Sequence, residues 1–201
     1  MSSHTPATVP SACPIRQIVT DDLARSRGTV FFRLILVIPH LIWLTLWGIV
    51  VAVVWLITWI WTLIAGSSPT WAHNFLAAYL SYTVHTSAYI SLAAQPYPAF
   101  LGESGYPVDL QIDPPAPQRR VTTFFRVVLA FPMLIVVSAL QTLQGTLAFL
   151  AWFYILATGR MHEGMRNLIT FCIAWNARVN GYISLLTDRY PPFSEGEIPT
   201  S

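Results

Sequence analysis

The side chains able to do chemistry are few. His4, His40, His73, His85 and His162 show neither HxxxH nor HExxH spacing, the patterns that set two imidazoles on one helical face around a metal. Cys13 and Cys172 lie in unlike surroundings and form no CxxC, so they imply neither a disulfide framework nor a metal site. No P-loop, GxGxxG or GxSxG occurs, and Glu163 has no carboxylate companion at a spacing suited to acid–base work. The expectation is a protein that is not an enzyme and holds no cofactor. His40 follows Pro39 inside an apolar run. A proton relay would need a second titratable group at similar depth, and the apolar runs contain no Asp or Glu. A hydrogen bond to a carbonyl freed by Pro39 is the simpler expectation.

The remaining candidates suit binding. Arg33 and Arg126 sit just inside apolar stretches, either as snorkelling anchors or as a pair for anionic lipid headgroups at a pseudo-twofold axis. Trp175, Arg178 and Tyr182 share one helical stripe, suited to a cation–π contact, while Asn176 and Asn180 lie one turn apart and would tie that helix to another. Asp188, Arg189 and Tyr190 precede Pro191-Pro192-Phe193, as a capping ion pair with a rigid turn or as a docking surface. Trp43, Trp47, Trp55, Trp59 and Trp61 read as a lipid-facing belt rather than a cofactor box.

The elements that position these residues are built twice. FFRLILVIP (31–39) returns ninety-three residues later as FFRVVLAFP (124–132), and the same offset relates YISL at 89–92 and 182–185. One unit has been duplicated, giving a tail at 1–13, repeat units at 14–103 and 106–196, and a tail at 197–201. Only 10% of residues are charged against 54% hydrophobic; that little charge cannot cover a soluble globule of this size. Apolar runs at 30–65 and 121–158 indicate an all-α integral membrane protein. The first run lacks a signal-peptide cleavage site. The slight basic excess fits membrane topology, not nucleic acid.

Each run of about 35 residues would reach about 52 Å as one helix, against a hydrocarbon core of about 30 Å. The sequence therefore predicts two hairpins, turning near Gly48 and through Gln141–Thr146. That makes four transmembrane helices, with Gly66 and Gly159 at helix C-termini. Single spans kinked at Pro39 and Pro132 are the rival reading. The arginines before each run put both starts, and both termini, in the cytoplasm. Helices near 70–93 and 163–187 become amphipathic interfacial helices. The alternation in 107–113 and its counterpart 14–20 predicts a short two-stranded ribbon.

Arg126, Pro132, Thr158-Gly159-Arg160, Arg178-Val179-Asn180-Gly181-Tyr182 and the closing Thr187–Phe193 form a pattern. It resembles a bacterial integral membrane family, domain of unknown function 4389. The first repeat follows the pattern more loosely: Ser67, His85 and Ser87 replace Arg160, Arg178 and Asn180, and Gln95-Pro96 replace Asp188-Arg189. The resemblance implies a multi-pass protein of the bacterial plasma membrane and no particular activity. The functional expectation is a non-catalytic accessory or scaffold subunit of a larger membrane complex, in contact with membrane lipids. A small transporter or channel and a lipid-interacting membrane organiser are the alternatives.

Overall fold

The computed structural model describes residues 14–190. Its elements are, in order, β1 (Ile15–Val19), α1 (Arg27–Leu36), α2 (Ile38–Ala65), α3 (Thr70–Ile90), β2 (Val108–Ile112), α4 (Arg120–Thr158) and α5 (Glu163–Ile183).

The hairpins do not form. Pro39 lacks an N–H and disturbs only one turn, because Val37 stays right-handed (φ −83°, ψ −19°) and its N–H still reaches Arg33 O at 3.0 Å. In α4 the equivalent Pro132 lies within one unbroken helix of 39 residues, about 58 Å long. The polar stretch 141–146 stays helical because its groups find local partners. Thr142 and Thr146 hydroxyls donate to carbonyls one turn back, and Gln144 Nε2 donates to Ser87 Oγ and Ser91 Oγ. Gly48 admits Tyr79 against the helix, where a Cβ would stand 3.3 Å from its hydroxyl. The expected four short spans are thus replaced by two helices, each long and apolar enough to cross a membrane. Gly66 (φ 78°) and Gly159 (φ 76°) do end them, in the left-handed conformation that a Cβ disfavours.

The ribbon forms as expected, between the repeats. β1 pairs antiparallel with β2, from Ile15 opposite Ile112 to Val19 opposite Val108. Beneath it lie α3 and α5. Ile15 packs with Leu76, Leu80 and Leu186. Beneath those lie the long helices: Met133 and Val137 of α4 pack on Trp175, Val179 and Tyr182 of α5. Helices α3 and α5 are therefore a middle layer of the protein, with apolar neighbours from the ribbon on one side and from the long helices on the other.

The long helices run antiparallel. Trp59 Nε1 donates to Thr123 O at 3.0 Å, and its counterpart Trp152 Nε1 to Val30 O at 3.3 Å. The end of each long helix thus lies beside the start of the other. Their buried stripe is narrow, including Val30, Arg33, His40, Thr58 and Thr62 in α1 and α2 and Val37 at their junction. Much of the remaining surface is exposed and apolar.

Candidate functional site

The conspicuous chemistry of this fold is a pair of buried guanidinium braces. In the second repeat, Arg126 projects from the second turn of α4 to the end of α5. Its Nη1 donates to Tyr182 O and, at 2.9 Å, to Thr187 O, and its Nη2 reaches Gln118 Oε1 and Asp188 Oδ1, both at 3.0 Å. The guanidinium carbon lies 4.6 Å from the Tyr182 ring centre. In the first repeat, Arg33 Nη1 donates to Tyr89 O at 2.6 Å and Ala94 O at 3.2 Å, with the Tyr89 ring 4.2 Å away. Arg33 and Arg126 are 3% and 1% exposed. They are neither snorkelling anchors nor free headgroup ligands. Burial of a cation at these carbonyls is favoured because a helix C-terminus carries partial negative charge.

A second pair of braces holds the same turns. Arg25 Nε donates to Leu92 O at 3.0 Å, and its counterpart Gln118 Nε2 donates to Leu185 O. Leu92 (φ 64°) and Leu185 (φ 63°) are left-handed, a conformation costing a non-glycine residue about 1–2 kcal/mol. The braces fix that turn. The offset pairs Arg25/Gln118 and Leu92/Leu185 were visible in the sequence, but nothing there linked them to each other.

The halves differ in charge. Asp188 and Gln118 both accept from Arg126, whereas Gln95 and Arg25 stand at their counterparts. Arg25 instead forms an ion pair with Asp21 at 2.6 Å. Arg33 Nη2 and Gln95 Oε1 are buried without a hydrogen-bond partner. Beside them an open cleft of about 560 Å³ is lined by Thr20, Asp21, Arg25, Ser26, Gln95 and Pro96, among others.

His40 is fully buried, and its Nδ1 lies 2.5 Å from Tyr82 Oη of α3, not at a carbonyl freed by Pro39. Phe100 stacks on its ring at 4.7 Å, and Tyr97 lies 4.4 Å away. Sequence gives no reason to pair residues 40 and 82. His85 Nε2 meets Asp109 Oδ1 at 2.9 Å and the His85 ring stacks on Tyr106 at 4.6 Å, joining α3 to the ribbon. Burial pushes the His85 imidazole below its ordinary value, against the opposing pull of Asp109. Burial likewise lowers His73, which faces Asp113 O at 3.1 Å, and raises Tyr106.

The other expected site residues separate. Tyr182 is buried under Arg126, so the cation over its ring is Arg126 rather than Arg178, which is half-buried on α5. Asn180 is exposed and donates to Asn176 O at 2.9 Å within its own helix, rather than to another helix. Asp188 also accepts from Arg119 N at 3.3 Å, Arg189 N donates to Thr187 Oγ1, and Tyr190 packs 5.9 Å from Tyr182. Pro191-Pro192-Phe193 lies outside the described residues. Trp43 and Trp61 are exposed, while Trp47 packs against Phe75, Tyr79 and Tyr82 of α3. Trp43, Trp55 and Trp59 each donate their indole N–H to a backbone carbonyl. Among the described residues no three of His, Cys, Asp and Glu gather as a metal site.

This chain belongs to the family described as Domain of unknown function (DUF4389), whose model matches it twice, over residues 27–102 and 120–195. The two matches agree with a tandem duplication. No curated protein and no solved structure matches the chain.

Proposed function

We propose that this chain is a non-catalytic accessory or scaffold protein of the bacterial plasma membrane, working through lipids and partner subunits. The observation that carries the reading is the outer surface of the long helices. Exposed large apolar residues run from Phe31 to Ile64 in one and from Val121 to Tyr154 in the other. Such extents exceed what a water-facing surface carries. The buried cations meanwhile hold the protein's own turns. The same apolar surface favours, as a second reading, a lipid-interacting membrane organiser. A transporter has less support, because the charged side chains buried in the long helices, Arg33 and Arg126, are tied to backbone carbonyls.

A tagged pull-down from native membranes in mild detergent tests this. A stoichiometric membrane partner, recovered again when the partner carries the tag, is the expected result. Recovery of the chain with lipid alone would replace the scaffold reading with the organiser. Recovery from the soluble fraction would sink both.

A further inference from the structure

We infer that the two long helices lie in the plane of the membrane, side by side in one leaflet, with α3, α5 and the ribbon stacked toward water. The inference rests on the membrane reading above and deepens it.

Symmetry supplies the first argument. Gln17 is paired with Leu110 across the ribbon, and Leu110 is also its counterpart ninety-three residues on. A residue paired with its own counterpart lies on the pseudo-twofold axis. An axis that exchanges two antiparallel helices runs perpendicular to both. The ribbon therefore stands over the middle of the helix pair. If the pair crossed the bilayer, the axis would lie in the membrane plane and hold the ribbon at mid-depth. Its two open edges and the exposed Arg16 and Gln111 would then face hydrocarbon, which unpaired backbone and charge do not tolerate. With the pair flat, all of these groups face water.

Length supplies the second. Exposed apolar residues from Phe31 to Ile64 cover about 50 Å of helix, well beyond a core of about 30 Å. An in-plane helix has no such limit. Residues 34–65 and 127–158 contain no Asp, Glu, Lys or Arg. The exposed hydroxyls of Thr45, Thr142, Thr146 and Thr158 donate to carbonyls one turn back, as hydrocarbon requires. Finally, a flat pair puts the arginine-flanked starts of both repeats on the same side although the helices are antiparallel. Both then satisfy the positive-inside tendency without a crossing.

The test uses single cysteines in the full chain carrying Cys13→Ser; Cys172 is buried, and the parent measures its background. Thr70→Cys and Glu163→Cys mark opposite ends of the helix pair, and Val50→Cys and Leu143→Cys its middle. A membrane-impermeant maleimide is applied to spheroplasts and to inverted vesicles. The expected result is labelling of positions 70 and 163 from the same side, with loss of labelling at 50 and 143 from both. Labelling of 70 and 163 from opposite sides means that the helices cross, and overturns the inference while leaving the membrane reading intact. Labelling of 50 and 143 from the far side means hairpins, with the same consequence. Recovery in the soluble fraction, with positions 50 and 143 open to reagent, would instead remove the membrane reading.

Discussion

Asp188 accepts a hydrogen bond from Arg126 at 3.0 Å. At the counterpart position of the first repeat, Gln95 takes none from Arg33, although both have buried polar atoms without partners. The duplicated brace is thus charge-balanced in one copy only.

Removing the balanced brace should be severe. Arg126→Gln takes the guanidinium from the Tyr182 and Thr187 carbonyls and from the Asp188 carboxylate, leaving Asp188 the Arg119 N–H and Tyr182 O the Leu185 N–H, each at 3.3 Å. Breaking a buried pair in this way costs about 3–5 kcal/mol. Arg126→Lys should restore little, since one ammonium cannot reproduce the fork. Thermal unfolding in detergent, followed by circular dichroism, measures both; a Lys variant equal to the parent would refute the brace.

Supplying the missing carboxylate should stabilise. Gln95→Asp gives Arg33 the partner that Asp188 gives Arg126, and a hydrogen bond to a charged group contributes about 1.5–3 kcal/mol. The midpoint should rise at neutral pH, and the gain should vanish in Arg33→Gln/Gln95→Asp. A fall in the midpoint would show that the two positions do not meet.

Acid should loosen the attachment of α3 to the ribbon. Burial lowers His73 and His85 in the folded state, so the unfolded chain binds more protons as pH falls through about 6.5. Stability is fully present above that pH and declines below it. Asp109 faces His85 and opposes this trend. Midpoints measured from pH 7.5 to 5 should fall, with a shallower slope in His85→Gln; a midpoint that rises toward pH 5 would contradict the assignment.

Gly181 lets α5 approach the ribbon. A Cβ there would stand 2.1 Å from Ile15 Cδ1, so Gly181→Ala should cost about 1–3 kcal/mol by overpacking. Ile15→Val removes the clashing methyl, and the double variant should recover part of that loss, a coupling read by a double-mutant cycle. Gly28→Ala, with nothing within 4 Å of the new methyl, serves as the unaffected control.

The sequence by itself determined the elements. A repeat offset fixes which residues are counterparts, alternation in 107–113 marks a strand, and Gly66 and Gly159 mark helix ends because only glycine enters the left-handed region freely. It also determined that the long helices are apolar. Their unbroken course and relative direction were decided by tertiary structure. A polar stretch such as 141–146 reads as a turn until Ser87 and Ser91 supply its partners. A duplicated sequence is equally compatible with parallel or antiparallel copies, since the offset carries no direction. The destinations of Arg33, Arg126 and His40 were hidden for a related reason. Each finds partners on α3, α5 or the turns after them that lie 42 to 62 residues away, brought near only when α3 and α5 settle between the long helices and the ribbon.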